Sequence, residues 1–562
     1  MDETISVYNA GFLLNIIGMS PSFDSPETPE QIAIRQGMQN ADVMNAALAL
    51  YDNRLEVAEP LLRKHLKTDP FDVAAIRMLA EVAARIGRYR DSENLLRRAL
   101  ELAPTFGAAR ANLASVLYKQ NRAPEAIAEL DSLLDGESEN IGLNNLKAAA
   151  LSRIGGFDEA IQLYQDVVAK APNQPKVWMS LGHMLKTVGR QEDGIAAYRK
   201  ALELTPTLGE VWWSLANLKT VRFTPDDVAA MESALARETL RDEDRFHLDF
   251  ALGKAYEDQK AYAQAFRHYE AGNMLRRETI DYRAEDTTAF VDRSIALFTP
   301  EFFKAREGQG CDAHDPIFIL GMPRAGSTLV EQILSSHSQI EGTSELPDIP
   351  ALARTSKDYP NPVAGLTPEH LRDLGESYLA RTRIQRKTGR PLFIDKLPNN
   401  WAHVPFIHLI LPNAIIIDAR RHPLGCCFSN FKQHFAKGQA FSYSLDDLGR
   451  YYADYVRLMK HVDDVLPGRV QRVLYERMVD DTETEVRALL AACGLEFEAA
   501  TLRFHETERA VRTASSEQVR KPIFREGTEG WQGFEPWLGP LKAALGPVLE
   551  AYPDVSHFAC AR

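Results

Sequence analysis

The chain has 562 residues, which corresponds to three or four domains at about 150 residues each. Hydrophobic residues make up 45% and charged residues 25% of the sequence, and this balance excludes a fibrous or largely disordered protein. The formal net charge is -13, which argues against nucleic acid as a partner, because a phosphate backbone is bound by an excess of Lys and Arg. Any anion-binding site must therefore be local.

Cysteine usage and the N-terminal sequence predict where the protein is found. The five cysteines form no C-x-x-C pair and no framework spacing, as is typical of reduced thiols in a cytosolic protein. The first residues lack the basic region of a signal peptide, and no segment has the roughly 18 consecutive apolar residues of a membrane span. We expect a cytoplasmic protein without a membrane span.

The N-terminal half repeats with a period of 34 residues. Three columns of residues share this period. The first consists of prolines, with Ser138 in the one open slot: Pro70, Pro104, Pro172 and Pro206. The second contains residues that tolerate a left-handed helix end: Asn53, Gly87, Asn121, Gly155 and Gly189. The third contains small or apolar residues: Ala99, Leu133, Val167 and Ala201.

Between these columns, apolar residues recur at steps of three or four, which predicts helical hairpins. The pattern resembles the tetratricopeptide repeat, a helix–turn–helix unit, over residues 38–220. Two further segments, 248–256 and 261–271, predict a degenerate repeat. Such repeats stack into a solenoid with a concave groove. The groove is either a spacer or a surface for a protein or peptide partner, and we favour the partner.

A phosphate-binding loop begins the C-terminal half. Residues 316–320 form a short apolar run that predicts a buried strand, and Gly321-Met322-Pro323-Arg324-Ala325-Gly326-Ser327-Thr328 follows it directly. A strand, a glycine-bearing loop and a helix start bring backbone N–H groups together around an anion. Ser327 stands where a nucleotide triphosphatase loop has its lysine, which argues against an ordinary kinase or ATPase. Arg324 offers a fork-shaped donor for a terminal phosphate or sulfate instead.

Further apolar runs at 392–394, 414–417 and 470–475 alternate with helical stretches. This order predicts an α/β domain with a mainly parallel sheet, in which ligands lie beyond the carboxyl ends of the strands. Polar residues follow each run, and we expect function there: Asp395-Lys396, Arg420-Arg421 and Tyr475-Glu476.

Two motifs resemble those of sulfotransferases. The loop at 323–328 is similar to the 5′-phosphosulfate loop of enzymes that use 3′-phosphoadenosine 5′-phosphosulfate (PAPS). Arg421-His422-Pro423, with Ser429 eight residues after Arg421, resembles the motif that binds the 3′-phosphate. The resemblance covers residues 312–535 and is closest to the tyrosylprotein-sulfotransferase-like branch. Together with the repeats, the chain resembles bacterial tetratricopeptide-repeat sulfotransferases.

This resemblance implies roles for individual residues. Glu345 would be the catalytic base and Lys396 the catalytic lysine. The donor would be bound by Arg324, Ala325, Gly326, Ser327, Thr328, Arg421, Ser429, Tyr475, Ser516, Lys521 and Arg525. Gly530 stands where that branch has a late lysine, so Lys521 or Arg525 would have to replace it, and Gln433 stands where a basic residue is expected, beside Lys432.

The sequence therefore predicts a multidomain protein, an all-α tetratricopeptide-repeat solenoid followed by an α/β, P-loop-like sulfotransferase domain. Its segments are an extension at 1–37, the solenoid at 38–220, connecting helices at 221–311 and the transferase at 312–562. The implied reaction moves a sulfuryl group from PAPS to an acceptor hydroxyl and requires no metal. The acceptor classes are protein tyrosine, carbohydrate and small molecule. The alternative function is a protein-interaction scaffold with a catalytically silent nucleotide-binding module.

Overall fold

A computed structural model describes residues 40–353, 358–435, 438–509, 511, 513, 518–523 and 528–553. The chain divides into two compact units at Met184 and Leu185. The first contains helical repeats, and the second contains further helices and a parallel sheet. In the described ranges, no helix is both long enough and apolar enough to cross a membrane.

The first unit consists of paired helices. Their bounds are Ala41–Tyr51, Leu55–Thr68, Val73–Arg85, Tyr89–Leu102, Gly107–Lys119, Ala123–Leu134, Ile141–Arg153 and Phe157–Lys170. A ninth helix, Pro175–Thr187, runs across the boundary. The core lies between the helices and includes Leu50, Met78, Leu113 and Leu117. The small-residue column packs inside the hairpins, since Ala99 and Val167 are buried.

The left-handed column predicted from the sequence is confirmed. The φ angles are 57° at Asn53, 80° at Gly87, 62° at Asn121, 79° at Gly155 and 89° at Gly189. Lys260 has a φ of 61° and takes the same turn between the helices Asp242–Asp258 and Tyr262–Glu278. The degenerate repeat therefore has the same hairpin geometry as the regular ones.

The repeat also contains a hydrogen-bond column. Six residues after four of the five positions of the proline column, a side chain donates to the carbonyl oxygen of that position. The pairs are Arg110 to Pro104 at 3.0 Å, Asn144 to Ser138 at 2.8 Å, Trp178 to Pro172 at 2.7 Å and Trp212 to Pro206 at 2.9 Å. The donor is an arginine, an asparagine or a tryptophan in different repeats, so no single residue type marks this column in the sequence.

The second unit begins with helices that precede the sheet. They are Gln191–Leu204, Gly209–Asn217, Pro225–Leu235, Asp242–Asp258, Tyr262–Glu278, Ala284–Leu297 and Pro300–Lys304. Glycines allow close packing here, since a Cβ on Gly253 would lie 2.6 Å from the Tyr269 ring.

The sheet has five parallel strands in the order β2-β3-β1-β4-β5. The strands are β1 Pro316–Gly321, β2 Ile340–Gly342, β3 Leu392–Lys396, β4 Ile415–Arg420 and β5 Val470–Leu474. β1 is fully buried at the centre, as its continuous apolar run predicts. β2 has only three residues, too few for its apolar pattern to predict a strand. The predicted class, helical repeats followed by an α/β domain, is confirmed.

Helices cover the sheet and continue to the C-terminal region. They are Ser327–Ser335, Asp348–Ala353, Pro368–Thr382, Val404–Ile410, Pro423–Phe431, Leu445–Val465, Tyr475–Asp480, Thr482–Ala492, Gly539–Leu545 and Pro547–Ala551. Short 3₁₀ helices span Asn361–Gly365, Arg383–Gln385, Pro398–His403, Ala440–Tyr443, Ala499–Glu506 and Gln532–Trp537. The core on one sheet face includes Ile319, Ile394, Ile417 and Leu489.

Candidate functional site

The loop after β1 places backbone N–H groups at the start of the helix Ser327–Ser335. Two residues of the loop have left-handed backbone, Arg324 with a φ of 65° and Gly326 with a φ of 98°. A Cβ on Gly326 would lie 2.8 Å from the ring of Tyr475, so a larger residue does not fit there. The N-terminus of a helix attracts negative charge, and this loop can therefore hold a phosphate.

The two arginines that the motifs singled out lie in contact. Arg421, which follows β4, donates from Nη1 to the carbonyl oxygen of Arg324 at 3.2 Å. Arg324 donates from Nε to Ser429 Oγ at 3.3 Å and from Nη2 to Gln518 Oε1 at 3.2 Å. The Arg421 guanidinium lies 4.9 Å from the centroid of the Tyr475 ring, within the range of a cation–π contact. The ends of β1, β4 and β5 thus converge on one place.

Electrostatics at this place favours an anion. Burial, and then the nearby charge of Arg421, lower the pKa of Arg324 to about 10. The two like charges repel each other, and a bound anion would offset this repulsion.

A cavity of about 620 Å³ opens beside these residues. Its described lining contains seven cationic side chains and one carboxylate, Glu257. The cationic residues are Lys219, Arg222, Lys254, Arg324, Arg421, Lys432 and Lys521. In a chain with a net charge of -13, this lining is a strong local excess of positive charge.

Most of the predicted donor-binding residues line this cavity. They are Arg324, Gly326, Ser327, Thr328, Arg421, Ser429, Tyr475 and Lys521. Ala325 does not line it: its side chain is buried, and its N–H donates to Met322 O at 3.3 Å. Ser516 and Arg525 lie outside the described residues. Gly530 and Trp531 line the cavity, and the Trp531 ring stacks on His422 with centroids 5.5 Å apart.

The predicted catalytic residues also lie together. Lys396, at the end of β3, is 1% exposed and its Nζ lies 2.5 Å from Glu345 Oε1. A second carboxylate, Glu331, lies 4.0 Å from the same ammonium. The Glu345 side chain is 45% exposed and can meet an incoming molecule. Neither Glu345 nor Lys396 is among the described residues that line the cavity of the two arginines.

Arg420 and Arg421, the two arginines at the end of β4, have different surroundings. Arg420 turns inward and donates to Asp418 Oδ2 at 2.8 Å, and Arg472 donates to the same oxygen at 3.0 Å. Burial opposes ionisation of Asp418, but the charges of Arg420 and Arg472 outweigh it and hold its pKa below the usual value. Arg420 is thus part of a buried ion network, and Arg421 alone faces the cavity.

Sequence reasoning missed several residues of the site. Gln518 contacts Arg324, and Glu331 approaches Lys396. Lys219 and Lys254 come from the helices before the sheet, and no motif marks them. Of these residues, Glu331 is the one that the sequence could have indicated. It is a charged residue within the apolar pattern of the helix after the loop, and it is buried there, which is unusual for a glutamate.

Models of known protein families match three segments of the chain. Residues 316–499 match the model of a sulfotransferase family, and residues 87–150 and 145–208 match two tetratricopeptide-repeat models. The chain carries a sulfotransferase-family domain. That domain contains the phosphate loop, Lys396, Arg421 and β5, and tetratricopeptide repeats precede it.

Two relatives are similar to parts of the chain. An "Uncharacterized protein" of Aquifex aeolicus (strain VF5) is 30% identical over 418 residues, and the match covers 70% of this chain and 54% of that protein. The chain thus spans about half the length of that relative. A "Putative protein-tyrosine sulfotransferase" of Caenorhabditis briggsae is 25% identical over 268 residues, 43% of this chain and 93% of that protein.

Solved structures of repeat proteins are similar to part of the chain. MamA from Desulfovibrio magneticus RS-1 has 18% identity and a TM-score of 0.28, and the match covers 29% of this chain and 96% of that one. YrrB, described as a TPR protein with an unusual peptide-binding site, has 20% identity and a TM-score of 0.27, with 32% and 93% covered.

Proposed function

We propose that the sulfotransferase domain uses PAPS as its donor and transfers the sulfuryl group to an acceptor hydroxyl. The observation that carries this proposal is the contact between Arg324 and Arg421 beside a cavity lined by seven cationic residues. A nucleotide with phosphate groups at two positions needs cations from two separate motifs, and here the two motifs meet.

The charged and aromatic lining of the cavity supports such a donor. The Arg324 side chain and the N–H groups of residues 326–328 would hold the phosphosulfate end. Arg421 and Ser429 would hold the 3′-phosphate. The rings of Tyr475 and Trp531 line the same cavity and offer flat apolar faces for a purine. When bound, the donor supplies an activated sulfuryl group on a phosphate oxygen.

Glu345 and Lys396 would serve the transfer itself. The acceptor oxygen forms a bond to sulfur while the bond from sulfur to the phosphate oxygen breaks, and Glu345 takes the hydroxyl proton. General-base action of this kind contributes about 10²–10⁴-fold to a rate. Lys396 would place its positive charge where the phosphate oxygen gains negative charge, and it also orients the Glu345 carboxylate through their 2.5 Å contact.

We further propose a protein acceptor, with tyrosine as the first residue to test. The similarity to the Caenorhabditis briggsae protein supports tyrosine. The tetratricopeptide repeats supply a concave surface of the kind that binds extended protein segments, and they would recruit the acceptor or a partner that presents it.

The test uses the purified full chain with radiolabelled PAPS and a protein extract, beside calorimetric titration with adenosine 3′,5′-bisphosphate. We expect labelled protein and measurable nucleotide binding. Arg421→Ala should weaken binding at least about tenfold, because a charged hydrogen bond to phosphate is lost. Arg487→Ala, an exposed arginine on the helix Thr482–Ala492, is the matched control and should bind normally. Absence of both product and binding would reject the proposal.

One observation favours a second function, a catalytically silent nucleotide-binding module in a scaffold. The Glu345–Lys396 pair does not line the cavity that the arginines form, so binding could persist without transfer. Glu345→Gln separates the two functions. In an enzyme this change abolishes most labelling and leaves nucleotide binding intact, whereas in a scaffold the wild type binds nucleotide and labels nothing.

A further inference from the structure

The cavity next to Arg324 is built partly by helices that precede the sulfotransferase domain. Lys219 follows the helix Gly209–Asn217, and Lys254 lies on the helix Asp242–Asp258. Lys219 and Lys254 belong to the same compact unit as the sheet. The first strand of that sheet begins at Pro316. The positive lining of the cavity therefore has a source outside the segment that matches the family.

Lys219 differs from the other lysines around it. Lys432 pairs with Glu257 at 2.5 Å, and Lys254 pairs with Asp258. The Lys219 ammonium instead donates to the neutral amide oxygen of Gln433 at 3.2 Å. Among the described residues it forms no ion pair within 4.0 Å. Its charge is thus the least compensated of these three.

The surroundings of Lys219 disfavour its charged form as long as no anion is present. Burial lowers its pKa well below the usual value, and the charges of Arg324, Lys432 and Lys254 lower it further, opposed by Glu257. A cation that is shielded from water and has no carboxylate beside it is poorly compensated. The arrangement therefore becomes favourable when a polyanion enters the cavity.

The backbone at Lys219 ends the helix Gly209–Asn217 in a left-handed turn. Its φ is 65°, a left-handed conformation that is uncommon outside glycine and asparagine. Five described non-glycine residues have such backbone: Asn53, Asn121, Lys219, Lys260 and Arg324. Asn53, Asn121, Lys219 and Lys260 each lie two positions after the last residue of a helix, where left-handed backbone commonly ends a helix. This turn brings Lys219 to the cavity that Arg324 also lines.

We propose that Lys219 is a phosphate-binding residue of the donor cavity. The helices before the sulfotransferase domain are then part of the donor site. Lys219 places its positive charge next to Gln433, the neutral residue that stands where a basic one is expected. This inference rests on the proposed function, since it assumes that the cavity takes a nucleotide with two phosphate groups.

The experiment compares three variants of the full chain with wild type by calorimetric titration with adenosine 3′,5′-bisphosphate. Lys219→Met removes the charge, and Lys219→Arg keeps it. Lys260→Met is the matched control, because Lys260 has nearly the same φ, 61°, but is exposed. We expect at least about tenfold weaker binding for Lys219→Met, a smaller loss for Lys219→Arg and no change for Lys260→Met.

Thermal unfolding without nucleotide separates binding from a structural role. If Lys219 serves the ligand, Lys219→Met unfolds at or above the wild-type Tm, since a poorly compensated buried charge is removed, and nucleotide raises its Tm less than it raises that of wild type. A lower Tm without nucleotide together with wild-type affinity would overturn the inference, as would equal affinity of Lys219→Met and wild type. If Lys219→Met does not fold, Lys219→Gln gives the same comparison. Failure of the wild type to bind the nucleotide would instead reject the proposed function.

Discussion

Lys396 is the residue that we propose to assist the transfer by its charge. It is 1% exposed at the end of β3 and lies between the carboxylates of Glu345 and Glu331. Since it does not line the donor cavity, Lys396→Met should lower kcat by about 10²–10³-fold and change the Kd of adenosine 3′,5′-bisphosphate by less than about threefold.

Single-turnover kinetics and calorimetry on the same preparation check the prediction for Lys396. Lys387→Met is the control, because Lys387 is exposed on the surface and is remote from both proposed roles. A large loss of nucleotide affinity with unchanged turnover would show that Lys396 binds the donor rather than serving the transfer.

Asp395, one residue earlier on β3, makes stability depend on pH. Its carboxyl is fully buried and accepts a hydrogen bond from the Tyr378 hydroxyl at 2.9 Å. Burial is the largest cause that raises its pKa to about 8. The folded state therefore keeps a proton that the unfolded chain has already lost above about pH 4.

The sign of the effect follows from proton uptake. Between about pH 4 and pH 8 the folded state binds more protons, so Asp395 lowers the free energy of unfolding as pH rises, by up to about 1.4 kcal/mol per unit. Asp395→Asn removes this slope, and its stability relative to wild type should increase from pH 6 to pH 8 in urea denaturation. Asp373→Asn, at an exposed site, should show no such trend. A constant difference between Asp395→Asn and wild type would contradict the prediction.

At the scale of elements, we expect substitutions in the loop between β1 and the helix Ser327–Ser335 to affect nucleotide binding and stability strongly. Gly326→Ala combines a φ of 98° with a Cβ 2.8 Å from the Tyr475 ring. The loop must shift, and we expect at least about tenfold weaker binding of adenosine 3′,5′-bisphosphate and a loss of about 1–3 kcal/mol in stability.

Gly308→Ala is the matched control for the loop. It has a φ of 73° but no atom within 4 Å of the added Cβ. It should therefore show the backbone cost of about 1 kcal/mol with normal nucleotide affinity. Equal affinities for the two variants, measured by calorimetry, would show that the close approach of Gly326 to Tyr475 is not needed for binding.

For the whole molecule, the site predicts which segments respond to nucleotide. Adenosine 3′,5′-bisphosphate should slow amide hydrogen exchange in three segments that are distant in sequence, around 218–222, 321–329 and 421–433. Peptides from the first unit, residues 41–170, should exchange at the same rate with and without nucleotide. Protection confined to 321–433 would contradict a contribution from Lys219, and protection within 41–170 would place the binding site elsewhere.

Local patterns were sufficient for much of the molecule. The period of 34 residues predicted the left-handed turns at Gly87 and Asn121, because backbone sterics act within a few residues of chain. The apolar runs predicted four of the five strands, and the order strand, loop, helix predicted the phosphate loop. The last apolar run predicts that Tyr475 ends a strand, whereas in the structure Tyr475 is the first residue of the helix Tyr475–Asp480.

Contacts between distant segments were decided only by the tertiary structure. Sequence alone could not separate Arg420, which binds Asp418, from Arg421, which faces the cavity. It left Ala325 among the donor contacts and gave no sign of Lys219. The physical reason is that burial and charge compensation depend on which segments meet in space. Residues 219 and 324 lie more than a hundred positions apart, and only packing of the helices against the sheet brings their charges into one cavity.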